Sequence, residues 1–165
     1  LKVFLENYHN YYFFWLIFAT RKPKSSMQQS IKHYYEIIES CIKDMGEDPV
    51  ACRGELDGQW NLKRGSASVW VDVWEMESNK QIYFQLLSPV VGVPPTNREA
   101  FFQELLQINH TLYGVAFTIK DNYAYIKMIR EAQGLDKTEA AAMLDRIGYY
   151  ADLYDDKLRE KYFGK

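Results

Sequence analysis

Ser68-Val-Trp-Val-Asp-Val-Trp-Glu-Met76 alternates on both of its faces. Val69, Val71 and Val73 project to one side of a strand, the side a core would cover, while Trp70, Asp72 and Trp74 project to the other. The neighbouring segments continue this pattern. With Ser78-Asn79 as a hairpin turn, Trp74 pairs with Tyr83, Val73 with Phe84, Asp72 with Gln85, Val71 with Leu86 and Trp70 with Leu87. With Arg64-Gly65 as the preceding turn, Leu56 pairs with Val73, Asp57 with Asp72 and Trp60 with Val69. The aliphatic face then runs onto a strand around Arg53 to Leu62. Three strands in a consistent register describe a sheet with one buried face.

Helical periods flank this sheet. Ser26-Met-Gln-Gln29 has the pattern of a capping box, and Ile31, Tyr34, Tyr35, Ile38, Ile42 and Met45 follow at helical spacing, predicting a helix from about Met27 to Met45. Pro94-Pro95 stops the sheet. Thr96-Asn-Arg-Glu99 has the same box pattern before the stripe Phe101, Leu105, Ile108 and Leu112. A second hairpin turning at Asp121-Asn122 sets Val115, Phe117 and Ile119 against Met128, Ile126 and Ala124, with Thr118 facing Tyr125 and Ala116 facing Lys127. Asp136 then caps a long helix with Ala140, Met143, Leu144, Ile147, Ala151, Tyr154 and Leu158 on its apolar stripe. The expectation is an α+β domain, ordered helix, three antiparallel strands, helix, two antiparallel strands, helix, with the helices on one face of the sheet.

The chain has 165 residues, enough for one core. A formal net charge of −2 from 20 basic and 22 acidic residues lacks the concentrated basic surface of nucleic-acid binders, and no nucleic-acid partner is expected. The two cysteines, Cys41 and Cys52, form neither a CxxC nor a disulfide framework, which points to free thiols and the cytoplasm.

Residues 1–24 read differently. The run Tyr11-Tyr-Phe-Phe-Trp-Leu-Ile-Phe-Ala19 is too short to span a bilayer, and its basic cluster, Arg21, Lys22 and Lys24, follows the apolar run instead of preceding it as in a secretion signal. Two readings remain: a peripheral anchor lying in the membrane interface, or a non-native stretch from an over-extended translation start, with Met27 as a later one. Any membrane association is expected through this segment alone, and residues 25–165 are expected to form the domain.

The order of elements resembles that of type III secretion chaperones such as the Tir chaperone and of the YbjN family that shares their fold. In detail, residues 25–165 resemble YbjN in the Trp-rich strand SVWVDVWEM, the helix NREAFFQELLQIN and the close EAQGLDKTEAAAMLDRIGYYADLYDDKL, where a strand passes through a short linker into a capped helix. The resemblance implies a small cytoplasmic bacterial protein, often dimeric, that binds other polypeptides and has no catalytic residues to transfer. No cofactor is implied.

The second face of the sheet is then the candidate site. Trp70, Asp72, Trp74, Tyr83 and Tyr125, with Tyr123 nearby, are the expected partner-binding residues. Each large aromatic can bury about 150–250 Å², and four left open exceed the roughly 300–600 Å² patch usual on a monomer. Three coverings compete: the Pro89 to Pro95 segment or another helix of the chain, a second protein surface from a copy or a client, and a small ligand or carbohydrate stacked on Trp70 and Trp74. The facing pair Asp57 and Asp72 would suit acid/base work, but no His or phosphate-binding loop completes an active site. His33, Cys41, Cys52 and His110 lack metal-ligand spacing. The expectation is a non-enzymatic interaction module that binds a polypeptide and self-associates.

Overall fold

A computed structural model describes residues 29–164. The elements run α1 (Ile31–Asp44), β1 (Gln59–Arg64), β2 (Ala67–Glu75), β3 (Ile82–Gly92), α2 (Arg98–Asn109), β4 (Ala116–Lys120), β5 (Tyr123–Glu131) and α3 (Lys137–Phe163). This is the predicted order. The strands form one antiparallel sheet, β1-β2-β3-β5-β4. The readings made on residues 1–24, and the box at Ser26, lie outside the described residues.

Alternation decides which face is buried. Val69, Val71 and Val73 are at most 1% exposed, and Trp60, Phe84, Leu86 and Ile126 join them on the inner face. Against that face lies α3, which packs on β1, β2, β3 and β5 and on α1, while α2 lies by β4. Its stripe Ala140, Met143, Leu144, Ile147, Ala151 and Leu158 is buried, as the helical period requires. Each large side chain so buried contributes about 1.5–3 kcal/mol relative to exposure.

Both hairpin registers agree with the sequence reading. β2 pairs with β3 from Trp70 opposite Leu87 to Trp74 opposite Tyr83, and β4 pairs with β5 from Ala116 opposite Lys127 to Lys120 opposite Tyr123. The first of these hairpins closes through a longer loop than Ser78-Asn79: Met76 donates to the Gln81 carbonyl at 2.8 Å, and Lys80 takes a φ of 60°. The symmetric lengthening keeps the register.

Four expectations are corrected. The β1–β2 turn is Gly65-Ser66, so Trp60 faces Val71 and Gln59, not Asp57, faces Asp72; Leu56 is exposed. Proline 89 does not begin a covering loop, because β3 continues through Pro89 to Gly92 and pairs with Tyr125 to Tyr123. A bulge there turns both Val90 and Val91 into the core. Helix α1 starts at Ile31, after an extended Ser30. Helix α2 has no side-chain cap; its N-cap Asn97 is left-handed, and Arg98 is held by donating to Asn122 Oδ1 at 3.1 Å. Asp136 does cap α3, accepting from the Glu139 amide at 2.8 Å.

The sheet edges are partly closed. Asn109 accepts from the Phe117 amide at 2.6 Å and donates to its carbonyl at 3.4 Å, substituting for a neighbouring strand on β4. On β1, Gly54 donates to the Gln59 carbonyl at 2.8 Å and Asn61 to the Cys52 carbonyl at 2.7 Å.

Where α3 ends against α2, the Tyr162 hydroxyl donates to Glu104 Oε2 at 2.5 Å, and Lys161 Nζ lies 2.9 Å from the same oxygen. Burial, then the bond to Glu104, pushes the Tyr162 hydroxyl from its ordinary 10.0 up to about 12. The folded state thus favours the neutral phenol. Its contribution is complete below pH 10.0 and is lost as pH rises through about 12. Thermal midpoints should fall more steeply over that window in the unmodified chain than in Tyr162→Phe; identical slopes would assign the alkaline loss to other groups.

Candidate protein interface

The other face of the sheet stays open. Every outward residue of β2 from Ser68 to Trp74 keeps intermediate or full exposure, so among the described residues no helix covers it. Trp70 is 38% exposed and Ile129 48%. The register sets the residues in rows across the strands: Asn61, Trp70, Leu87, Lys127 in one, and Gln59, Asp72, Gln85, Ile129 in the next. Trp74 and Tyr83 lie opposite each other at the end of the face, with Glu131 beyond.

The five residues singled out from the sequence do share this face, the four aromatic ones in two groups. Trp74 stacks on Tyr83, with ring centroids 5.7 Å apart and planes 24° from parallel. Trp70 leans across β3 to Tyr125 at 6.0 Å, and Tyr125 meets Tyr123 at 5.4 Å. The rings partly shelter one another, which leaves them half-buried and holds their planes in place. Aromatic residues fixed in this way lose little conformational freedom on docking.

Between the groups sits a polar row. Gln59 Nε2 donates to Asp72 Oδ1 at 2.8 Å, and Gln85 Nε2 donates to Asp72 Oδ2 at 3.2 Å. The carboxylate is thus clamped from both neighbouring strands. A cleft of about 340 Å³ opens here, lined by Leu56, Asp57, Gly58, Gln59, Asp72, Trp74 and Gln85. Asp57 reaches this cleft from the turn before β1, not as the cross-strand partner of Asp72 that an acid/base pair would need.

The sequence reading missed Gln59 as the clamp and Ile129 as part of the apolar surface. Ile129 faces Gln85 through the β3–β5 pairing, which joins segments separated by α2, and no hairpin turn announces that register. A larger hollow of about 490 Å³ lies away from the sheet face, between α2 and the end of α3, lined by Gln103, Glu104, Gln107 and Tyr162. Of the residues weighed for metal, Cys41 is buried and donates to the Lys137 carbonyl at 3.4 Å; among the described residues no group of three or more His, Cys, Asp or Glu side chains is gathered as for an ion. No described helix is long and apolar enough to cross a membrane.

Comparison with solved structures places the fold. A chain of the ExsC-ExsE complex superposes with a TM-score of 0.58 at 14% identity, covering 78% of this chain and 96% of its own length. A chain of the HopA1-SchA chaperone-effector complex gives 0.57 at 8% identity, covering 79% and 98%. No curated protein matches in sequence. The family model for T3SS (YopN, CesT) and YbjN peptide-binding chaperone 1 matches residues 32–165. With the order of elements and the open aromatic face, that match makes this chain a member of the T3SS and YbjN peptide-binding chaperone family, a non-enzymatic module that engages a polypeptide.

Proposed function

We propose that the outer sheet face, through Trp70, Asp72, Trp74, Tyr83 and Tyr125, docks an extended segment of a client polypeptide. The observation that carries this is the uncovered aromatic surface on a rigid sheet. Partial closure of both edges favours docking on the face over addition of a strand. The HopA1-SchA structure is of a chaperone-effector complex, and an extended segment of a client of that kind suits a flat aromatic surface. The test places a photo-crosslinking phenylalanine analogue at Trp70 or at Tyr149, which is 63% exposed on α3. Polypeptide adducts from position 70 and not from 149 support the reading; equal yields, or none from 70, reject it.

Self-association belongs to a different surface. Leu106 is 70% exposed, Tyr113 76% and Ile119 43%, and Phe102 is half-buried beside Leu106, all on α2, β4 or the turn between them. Apolar side chains so placed suit a second copy of the chain, which would leave the outer sheet face of each copy free for a client. Light scattering over a dilution series should find a dimer, and Leu106→Glu should shift it to monomer. A monomer throughout would remove this part.

Cys41 and Cys52 are free thiols, which accords with work in the reducing cytoplasm. Any attachment to a membrane surface is assigned to residues 1–24, with residues 25–165 as the chaperone domain; liposome co-sedimentation with and without the first 24 residues tests this.

A further inference from the structure

The cleft beside Trp74 carries charge that the fold leaves uncompensated. Among the described residues neither Asp57 nor Asp72 takes part in an ion pair. Asp72 is half-buried on the sheet, and among the described residues its oxygens accept only from the Gln59 and Gln85 carboxamides. A carboxylate offers about four lone-pair sites, so the clamp fixes its orientation and leaves acceptor capacity toward the cleft. Among the described residues no third His, Cys, Asp or Glu side chain gathers with these carboxylates as a metal ion would need. The indole of Trp74, held by its stack on Tyr83, forms part of the wall.

An aromatic wall beside an unpaired, oriented carboxylate is complementary to a basic side chain. We infer that the cleft seats a lysine or arginine of the docked segment, its charge between Asp57 and Asp72 and its alkyl stem along Trp74. This rests on the outer face being the client surface, and it adds polarity to that surface. Trp70, four residues along β2 and about 13 Å away, stands in the row with Leu87 and Lys127, with Lys63 also at that end. The client therefore lies with its basic residue at the Trp74 end and its apolar residues over Trp70, Leu87 and Tyr125.

The experiment selects random short displayed peptides on the full chain, then repeats the selection on Asp57→Asn/Asp72→Asn and on Trp70→Ser. Selected peptides should share one Lys or Arg next to apolar residues, and replacing that residue, as arginine, by its neutral isostere citrulline should weaken binding roughly tenfold. The penalty should vanish on the Asp57→Asn/Asp72→Asn chain. Peptides that need Trp70 but show no basic preference, or whose preference survives the double Asn change, would overturn the cation site and leave the docking face standing. Peptides indifferent to Trp70 would overturn both.

Discussion

Gly58→Ala should destabilise the fold by about 2–5 kcal/mol, a large fraction of the roughly 5–15 kcal/mol that holds a domain together. Gly58 lies just before β1 with a φ of +80°, and its carbonyl accepts from the Val73 amide at 2.8 Å, adding one more link between this segment and β2. A Cβ here would stand 2.3 Å from the Val73 carbonyl oxygen and 2.8 Å from both Cε1 and Oη of Tyr35. The left-handed backbone costs an alanine about 1–2 kcal/mol, and overpacking costs about 1–3 kcal/mol more. The Tyr35 ring could swing away; the Val73 carbonyl is backbone in the middle of the sheet. Denaturant unfolding should therefore find that Tyr35→Ala does not rescue Gly58→Ala. A loss below about 1 kcal/mol would mean that the turn before β1 is free to reshape.

That turn also marks where the sequence stopped being legible. The β2–β3 and β4–β5 registers could be read because valine, phenylalanine and isoleucine alternate against tryptophan, tyrosine and polar residues on both strands of each hairpin, and a slip by one would bury Asp72 or Lys127. At β1 the same argument was blind to a shift of one position in the turn, since that changes each partner by two and preserves the face. The structure prefers Gly65 as the first central residue, with φ +60°, and Ser66 as the second, where the Ser66 amide reaches Asp152 Oδ1 on α3 at 3.0 Å. An anchor 86 residues away leaves no local pattern. The start of α2 is similar: Thr96 and Glu99 have the spacing of a capping box, but Arg98 is tied to Asn122 on the opposite hairpin turn, and Asn97 becomes left-handed. Of the site, the aromatic residues were legible from alternation. The clamp around Asp72 was not, because it depends on the β1 register.

Trp70→Ser/Trp74→Ser should abolish client binding, by at least about a hundredfold, and leave far-UV circular dichroism unchanged. The two effects separate because the rings contribute differently to the two processes. In the free chain both project from the uncovered face, and each is worth about 0.2–1 kcal/mol as a cross-strand neighbour and 0.5–1.5 kcal/mol in an aromatic pair. The backbone ladder and the valines behind them remain. In a complex each ring could be enclosed, and aromatic anchors at the centre of an interface are worth about 2 kcal/mol or more apiece. Two such anchors exceed the hundredfold threshold. The measurement is affinity for peptides selected on the unmodified chain, with unfolding followed in parallel. Unaltered affinity would move the client site off the sheet. Affinity and ellipticity lost together would mean that the stacks with Tyr83 and Tyr125 hold the sheet itself, and that the aromatic face is structural.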